Sequence, residues 1–378
     1  MKDIRQRILK NAKRIVIKIG SNVLAAESGS LNRSRVSHLA EQIYILSTQY
    51  KKQIILVSSG AIASGMGKLG IRSRPQTLPD IQALAAVGQT LLIEAYRNEF
   101  NKHHVEIAQL LVTQEDFQNP NRYLNITNTF SALLNKKIIP IVNENDTVAT
   151  HEITFGDNDR LCTLVSHTVY TDLVIILSNI DGFLDMEKAG SVIPLVEKID
   201  KNVLFKITDS QSSFGAGGMK SKILAIQQLV NSQKPVILAN GNKMHVLQEL
   251  FEGKELGTLF LPSETFMKRK KRWIAYFAKP HGEIHVDEGA KTALIKKNSS
   301  LLAIGIRNVT GEFNKGMVVR VLCDREEVAR GLVNYSSADI LKIKGLKSRE
   351  FSQVLENNII YEEVIHKDNL AVIQNQPP

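Results

Sequence analysis

Hydrophobic residues in the first 260 positions alternate between short continuous runs and longer segments with helical spacing. Continuous apolar runs that end in polar turns are typical of buried strands, and apolar repeats every three or four residues are typical of amphipathic helices. The runs that predict strands are, in order, RIVIKI, IILVSS, VEIAQLLVT, IIPIV, DLVIILS, PVILA and an edge piece, GTLF. Helical segments are predicted at 31–50, 81–100, 122–134, 161–170 and 223–230. Strands that alternate with helices predict an αβα sandwich with a mostly parallel sheet.

The pattern changes from about Arg272 onward to short strand-like pieces separated by glycine turns, such as GEIHVDEGA, GMVVRVLC, VARGLVNY and ILKIKG. This spacing predicts a small β-rich domain of roughly 80 residues. A chain of 378 residues is also too long for one ordinary core, so two domains are expected. We predict an α/β domain over 12–262, a basic linker over 263–274 and the β-rich domain over 275–360.

A stretch rich in polar residues, from 138 to 161, begins with the fourth predicted strand. Its apolar run stops at a first polar cluster, Asn143 to Asp146, and a second cluster follows at Gly156 to Asp159. Ligands of open α/β sheets usually bind at the carboxyl ends of the strands. Asn and Asp also form turns and cap helices, and a helix is predicted to start near Asp159. Two such clusters, joined by a short hairpin-like insert, favour a polar ligand site over that simpler interpretation.

Two earlier strands also carry candidate binding groups. Lys18 lies inside the first apolar run, where an ammonium group is costly unless it meets an anion, although strand lysines often simply point to solvent. The second strand ends in Ser58, Ser59 and Gly60, a small-residue turn into a helix whose backbone N–H groups an anion can approach closely. A GxGxxG pattern begins at Gly65, after that helix should have started, so we discount a dinucleotide-binding interpretation.

Two later segments are candidates for nucleotide binding. The strand DLVIILS ends in a turn with Ser178, Asn179 and Asp181, which could receive a base or ribose or could be only a β-turn. The segment SFGAGGMKSK, from Ser213 to Lys222, combines a predicted glycine-rich loop with lysines in the first turn of the next helix. Cations at the positive end of a helix are unfavourable without an anion, which makes this loop a candidate phosphate site. Its spacing differs from that of a Walker loop.

Composition narrows the class of protein. Hydrophobic residues at 43% and charged residues at 23% describe a globular protein. No apolar run reaches the length of a membrane span and no signal-like core follows the basic start, so we expect no membrane partner and a cytoplasmic location. The two cysteines, Cys162 and Cys323, are isolated, which favours neither a zinc site nor a disulfide framework.

The net charge of +10 raises the alternative of a nucleic-acid-binding protein. Residues 281–378 contain 13 Lys and Arg against 13 Asp and Glu, so the whole excess lies in residues 1–280. The run KRKKR supplies five of those charges and is most simply explained as a solvated linker. Because RNA affinity normally depends on basic residues that meet phosphates, RNA binding through the neutral tail is kept only as an alternative function.

Several motifs in this order resemble those of the glutamate 5-kinases in the amino acid kinase family. The matching segments are IVIKIGSNVL, LVSSGAIASG, LAAVGQ, NENDTVAT, GDNDRL, GAGGMKSK and GTLF, followed by KKRW and GEIHVDEGA in a tail similar to a PUA domain. The resemblance implies the amino acid kinase fold with a small PUA-like domain, and transfer of the γ-phosphate of ATP to the side-chain carboxylate of L-glutamate. It also implies Mg²⁺ held mainly by the phosphates, without protein metal ligands.

The resemblance assigns roles to individual residues. Lys18 and Lys222 would contact the transferring phosphate, and Asp159 would hold both ammonium groups in place. Glutamate would bind to Ser59, Gly60, Asn143, Asp146 and Asn158. The nucleotide would lie along Lys18, Gly20, Ser178, Asn179, Ala216, Gly217, Gly218, Met219, Lys220, Ser221 and Lys222. Two residues depart from the family's usual pattern, since Asn179 stands where an Asp is common and Ala216 where a Thr is common.

Further consequences of the resemblance concern pathway and partners. It implies the first step of proline biosynthesis, feedback inhibition by proline, and delivery of the acyl phosphate product to glutamyl phosphate reductase. Self-association into a homo-oligomer is also implied. For the PUA-like tail, we favour a structural or regulatory role over RNA binding.

Overall fold

The chain divides into two compact units, Met1–Phe266 and Met267–Pro378. The computed structural model describes residues 2–26, 29–149, 157–185, 190–199, 216–263, 269–276, 278–324, 326–355 and 361–373. Within these residues, no helix is both long enough and apolar enough to cross a membrane.

The first unit alternates helices with strands, as the sequence predicts. In chain order its elements are α1 (Lys2–Asn11), β1 (Arg14–Ile19), α2 (Ser21–Leu24), α3 (Arg33–Thr48), β2 (Gln53–Ser58), α4 (Ala61–Leu69), α5 (Leu78–Asn101), β3 (Ile107–Val112), α6 (Gln114–Gln118), α7 (Pro120–Asn135), β4 (Ile139–Glu144), α8 (Asp157–Thr168), β5 (Leu173–Ser178), β6 (Leu184–Asp185), β7 (Ser191–Val192), β8 (Leu195–Val196), α9 (Ala216–Asn231), β9 (Val236–Asn240), α10 (Val246–Phe251) and β10 (Thr258–Phe260).

Eight of these strands form one sheet in the order β3-β4-β2-β1-β5-β9-β10-β8. Neighbouring strands pair in parallel, except that β10 runs antiparallel to β9. The prediction of a mostly parallel α/β sheet is confirmed. GTLF, however, was expected at an edge, and this prediction is wrong because the two-residue strand β8 pairs with the far side of β10. A strand of two residues has no periodicity that sequence reasoning could detect.

Alternation along β1 explains how the sheet is covered. Ile15, Ile17 and Ile19 belong to the hydrophobic cluster that includes side chains of α3, α5 and α10. Successive strand side chains point to opposite faces, so Lys18 points to the other face. Helix α8 contacts β1, β2 and β4 there, and this arrangement brings Lys18 towards α8.

The glycines that mimic a dinucleotide-binding motif have a packing role instead. Gly65 lies in α4, and a methyl group on it would collide with the Leu84 carbonyl of α5. A methyl group on Gly88 of α5 would collide in turn with the backbone of α4 at Ala61 and Gly65. The two helices therefore approach each other backbone to backbone, which only glycine permits.

Gly88→Ala should destabilise the first unit by about 2–3 kcal/mol, although Ala is the better helix former, because the added methyl group would push α4 and α5 apart. The midpoint of urea unfolding measures this change. Thr90→Ala is the control on the same helix, since Thr90 is exposed and its hydroxyl bonds only the Val87 carbonyl in the described structure. Equal midpoints for the two variants would contradict the close helix approach.

The second unit is rich in strands but contains more helix than expected. Its elements are α11 (Arg269–Tyr276), β11 (Glu283–Val286), α12 (Glu288–Lys297), β12 (Ile306–Thr310), β13 (Val318–Cys323), β14 (Glu326–Leu332), α13 (Ser337–Ile343) and β15 (Leu370–Val372). The strands form a five-stranded sheet in the order β12-β11-β13-β14-β15. The predicted β-rich C-terminal domain is confirmed.

One strand-like piece of this unit, ILKIKG, is helical, so its prediction as β structure is wrong. Ser336 caps α13, because its side chain accepts a hydrogen bond from the Asp339 N–H. Ile340 and Ile343, three residues apart, are buried, whereas Leu341 is exposed. The apolar spacing therefore follows a helix, and the N-cap serine was the signal that should have decided it.

The predicted domain boundaries stay a prediction, and the structure adds one observation about the basic segment. Helix α11 contains part of the run KRKKR and contacts β14 and β15 of the second unit. Ile274 and Ala275 are buried in a cluster with Val318 and Ala371. The end of the predicted linker is thus packed within the second unit.

Candidate active site

The candidate site lies at one edge of the large sheet, where four parallel strands end side by side. In the order β4-β2-β1-β5, their ends carry Asn143, then Ser59 and Gly60, then Gly20, and then Ser178. Helix α8 supplies Asn158 and Asp159 from its first turn, and α9 supplies Ser221 and Lys222. Most of the residues predicted to bind ligands therefore come from elements that meet at this edge.

Asp159 is the centre of a buried ionic cluster. Its Oδ1 lies 2.5 Å from Lys18 Nζ and its Oδ2 lies 3.6 Å from Lys222 Nζ. Ser221 Oγ approaches the same Oδ2 at 3.4 Å. Asp159 is completely buried and Lys18 is 4% exposed, so water screens the cluster weakly. The structure brings together the three residues predicted to be catalytic.

Opposing effects act on the pKa of the Lys222 ammonium group. Burial lowers the pKa of Lys222, the Asp159 carboxylate opposes this by raising it, and the Lys18 ammonium group lowers it further. The described contacts thus place two ammonium groups around one carboxylate. An anion such as a phosphate group at this position would be stabilised by both ammonium groups.

A chain of hydrogen bonds between side chains runs beside the ionic cluster. Asn158 Nδ2 donates to Ser59 Oγ at 2.8 Å and to Asn143 Oδ1 at 3.0 Å. Asn143 Nδ2 donates in turn to Gln89 Oε1 of α5 at 2.8 Å. Asn158 Oδ1 is buried and has no hydrogen-bond partner among the described residues. A buried acceptor without a partner is costly, so a ligand that donates a hydrogen bond would be stabilised here.

The two serines after β2 have different surroundings. Ser58 Oγ is buried and lies 3.0 Å from the Tyr96 hydroxyl, inside the helix-covered core. Ser59 Oγ instead faces Asn158. Gly60 follows with a φ of 113° and caps the N-terminus of α4, a conformation that favours glycine. Of the two serines, Ser59 is the one that contacts the amide network.

Asp146 lies farther along the same edge, in a 3₁₀ turn formed by Asp146–Val148. It lines an open cleft of about 400 Å³ together with Gln89, Glu144 and Arg97. Gln89 also belongs to the amide network, so this cleft adjoins the network. The predicted hairpin-like insert after Asp146 lies largely in residues 150–156, outside the described residues, as does the side chain of Asp157.

The predicted nucleotide-binding residues fall on two elements. Ser178 ends β5 and its Oγ lies 3.3 Å from Asn179 Oδ1, while the Ser178 carbonyl accepts from the Gly241 N–H at 2.7 Å. Asp181 of the same turn pairs with Lys243 Nζ at 2.8 Å. The hydrogen bond from Lys243 lowers the pKa of Asp181 below its ordinary value.

Gly20 leaves open space beside Lys18, and its backbone N–H is already used in a hydrogen bond. Its N–H donates to the Leu177 carbonyl at 3.0 Å and so continues the pairing of β1 with β5. A methyl group on Gly20 would lie 3.3 Å from that carbonyl and 3.8 Å from Lys18 Nζ. The glycine therefore keeps the area beside the Lys18 ammonium group open.

The glycine-rich segment before Lys222 differs from its prediction. Helix α9 begins at Ala216, so Gly217, Gly218 and Met219 lie in its first turn and not in a loop, and Lys220 and Lys222 lie in the second turn. Ser213 to Gly215 and the side chains of Ala216 and Lys220 lie outside the described part of the chain. Free N–H groups at a helix start can bind an anion as a glycine-rich loop would, so the chemical expectation survives the change in backbone structure.

Comparison with known proteins identifies the family. Residues 13–240 match the amino acid kinase family and residues 282–355 match the PUA domain. A protein named glutamate 5-kinase from Syntrophus aciditrophicus is 43% identical over 99% of this chain and 98% of its own. Glutamate 5-kinases from Caldanaerobacter subterraneus subsp. tengcongensis and Geobacter metallireducens are 45% and 42% identical, over 96% and 98% of this chain and 98% and 100% of theirs. This chain belongs to the glutamate 5-kinases.

Within the glutamate 5-kinases, the chain keeps its two departures at the nucleotide side. Asn179 and Ala216 both lie away from the ionic cluster in sequence, and neither replaces a group that contacts Asp159. An Asn keeps an acceptor but loses a charge. Neither departure therefore changes the described contacts of the ionic cluster.

Two residues near this glutamate 5-kinase site, Gln89 and Lys243, were not singled out as site residues from the sequence. Gln89 lies in the quoted motif LAAVGQ, but its contact with Asn143 spans 54 positions along the chain. The Asp181–Lys243 pair likewise joins two separate strand ends. A buried glutamine on an otherwise apolar helix face was the available signal for Gln89.

Proposed function

We propose that Lys18, Lys222 and Asp159 are the catalytic cluster of an enzyme that transfers the γ-phosphate of ATP to the side-chain carboxylate of L-glutamate. The chain is a kinase of the glutamate 5-kinase family. The observation that carries the assignment of residues is the buried cluster, in which one carboxylate faces two ammonium groups. Two ammonium groups placed side by side suit a transferring phosphoryl group.

The chemistry requires positioned cations and no general base. A glutamate side chain has a reference pKa of about 4.3 and is ionised at neutral pH. The difficulty is to bring this carboxylate close to the anionic phosphates and to stabilise charge on the equatorial oxygens. Lys18 and Lys222 supply the positive charge, and Asp159 keeps both ammonium groups in position before the substrates arrive.

Glutamate would be recognised mainly through its α-ammonium group. The buried Asn158 Oδ1 has no partner among the described residues and is an acceptor for that group. Asp146 supplies a negative charge at the adjoining cleft, and Ser59, Gly60 and Asn143 frame the same edge. Carboxylate and amide oxygens are suitable partners for an ammonium ion.

ATP would lie along Gly20, Ser178, Asn179 and the first turns of α9, with its γ-phosphate at the two lysines. Mg²⁺ would accompany it, held mainly by phosphate oxygens, where it neutralises charge on the triphosphate. Asp159 does not suit direct binding of the metal, because both its oxygens face ammonium groups. Among the described residues, three potential metal ligands come together only in the second unit, at Glu288, Cys323 and Asp324.

The test is ADP release from ATP and Mg²⁺ with hydroxylamine present to trap an acyl phosphate. Hydroxamate should form with L-glutamate, and not with aspartate, N-acetylglutamate or UMP. Hydroxamate with aspartate or N-acetylglutamate instead would overturn the choice of substrate. ADP release without hydroxamate would overturn the carboxylate as acceptor.

Asp146→Asn should raise the glutamate KM about tenfold and change kcat little, because loss of one charge that meets the substrate ammonium group weakens ground-state and transition-state binding alike. Initial rates over a range of glutamate concentrations measure this change. Thr147→Ala is the neighbouring control, since Thr147 is exposed and its hydroxyl bonds only Asn145 in the described structure. An unchanged glutamate KM in Asp146→Asn would reject its role in substrate binding.

Further parts of the proposal concern the cellular setting. Glutamate 5-phosphate formation begins proline biosynthesis, so proline is the expected feedback inhibitor and glutamyl phosphate reductase the expected next enzyme. We also propose a cytoplasmic location and a homo-oligomer, both usual for the family. Residues 281–378, which include the PUA domain, carry equal numbers of acidic and basic side chains, and this balance gives no support to RNA binding as the main function.

A further inference from the structure

We infer that Gln89 is a positioning residue for substrate recognition, acting through Asn143 and Asn158. The inference deepens the proposed function and rests on it, because it assumes that Asn158 meets the α-ammonium group of the amino acid. Gln89 holds the Asn143 amide, and Asn143 in turn holds Asn158, whose Oδ1 is then the acceptor left for the ammonium group. In the reverse direction Asn158 would present an N–H donor.

The hydrogen bonds can be followed from Gln89 to Asn158. Gln89 carries both an acceptor and a donor, and in this structure its Oε1 accepts from Asn143 Nδ2 at 2.8 Å. Asn143 Oδ1 then faces Asn158 and accepts from Asn158 Nδ2. This arrangement leaves Asn158 Oδ1 as the buried atom without a described partner. An amide nitrogen in its place would repel an ammonium group and lose one hydrogen bond.

Ser59 cannot set this direction by itself. Its hydroxyl lies 2.8 Å from Asn158 Nδ2, and a hydroxyl can accept or donate equally well. If Asn158 were reversed, Ser59 could donate to the Asn158 oxygen and remain satisfied. Ser59 is thus satisfied in either orientation of Asn158, whereas Gln89 acts on Asn158 through the Asn143 amide.

The backbone around Gln89 is suited to a fixed position. Gln89 is buried on α5, and the preceding residue is Gly88, which lies against Ala61 and Gly65 of α4. Helix α4 begins at the Gly60 cap beside Ser59. Both ends of the amide network are thus attached to the same pair of closely packed helices.

Direct contact between Gln89 and the substrate is the competing explanation, since Gln89 also lines the cleft that contains Asp146. The two explanations differ in the background of an altered Asn143. A residue that acts through Asn143 loses its effect once that amide is removed, whereas a residue that touches substrate keeps its effect. A double-mutant cycle separates them.

Gln89→Leu should raise the glutamate KM about tenfold or more, with the ATP KM unchanged and kcat within about threefold, because the Asn143 amide loses its fixed acceptor. Gln89→Glu keeps an acceptor oxygen at the same place and should stay close to the wild-type glutamate KM. Asn98→Ala is the control on the same helix, since Asn98 is exposed and does not line the cleft. In the Asn143→Leu background, adding Gln89→Leu should change the glutamate KM less than twofold.

Each outcome decides between the explanations. An unchanged glutamate KM in Gln89→Leu, beside normal wild-type activity, would overturn this inference alone. Additive effects with Asn143→Leu would replace it by direct contact. Equal losses for glutamate and ATP with a lowered melting temperature would show a purely structural role. Wild-type protein that forms no hydroxamate from glutamate would overturn the proposed function, and this inference with it.

Discussion

Lys18→Met should lower kcat by about a thousandfold, because it removes a buried cation from the place where charge develops on the transferring phosphoryl group. Methionine fits the apolar strand around it, since every other residue of β1 after Arg14 is buried and hydrophobic. Asp159 also keeps Lys222 as an ion-pair partner at 3.6 Å, so the fold should persist. Single-turnover rates with saturating ATP and glutamate measure the chemical step directly.

Lys13→Met is the matched control for this experiment. Lys13 precedes the same strand and its side chain is exposed, so removing that charge should leave kcat within about twofold. Circular dichroism and the melting temperature establish that both variants are folded. Wild-type turnover in folded Lys18→Met would remove Lys18 from the proposed mechanism.

Asp159→Asn should lower kcat by about a hundredfold and destabilise the protein by about 3 kcal/mol, because it removes the carboxylate that pairs with the buried Lys18 ammonium group and the partly buried Lys222 ammonium group. The sign of the pH effect also follows. In the intact protein Asp159 raises the pKa of Lys222 against the effect of burial, so its loss should lower that pKa further. Residual activity should then decline at a lower pH than in the wild type, as Lys222 loses its proton.

The pH profile of kcat/KM for ATP and the urea midpoint together measure these effects. Glu41→Gln, an exposed carboxylate on α3, is the control for removal of one negative charge. A profile whose alkaline limb stays in place, with normal stability, would contradict the coupling between Asp159 and Lys222.

The parallel sheet could be predicted because its central strands are continuously apolar. β1, β2 and β5 are covered on both faces, so their residues need no alternation, and this pattern separates them clearly from the amphipathic helices. The same contrast made Lys18 conspicuous in its strand. The sequence of the strand could not show which of several acidic residues pairs with Lys18.

Partner choice required the three-dimensional arrangement. Four acidic residues lie in the polar stretch after β4, and among those whose side chains the structure describes, α8 places Asp159 on the sheet face to which Lys18 points. Asp146 lies in a 3₁₀ turn at an open cleft. Motif resemblance separated the two roles, whereas residue type and spacing alone did not.

Two of the wrong predictions concern short segments, whose residue pattern fits more than one kind of local structure. ILKIKG reads as alternating but forms the capped helix α13, and the glycines of GAGGMKSK suggest a loop but lie in the first turn of α9. Helix α1 was likewise not predicted. It is anchored through Arg5, whose guanidinium donates to the Pro194 and Gly257 carbonyls, contacts that no local pattern reveals.

The close approach of Gly65 and Gly88 also determines which parts of the enzyme can move. Helices in backbone contact cannot slide past each other without steric overlap, so α4 and α5 should behave as one rigid body. Gly60 and Gln89, which these helices place at the proposed substrate site, should then keep their positions when substrate binds. Any closure around bound glutamate has to come from α8 and α9 on the opposite side of the sheet edge. Binding energy would accordingly be spent on moving α8 and α9, which carry Asn158 as well as Asp159 and Lys222, and little would be spent on moving Gly60 and Gln89.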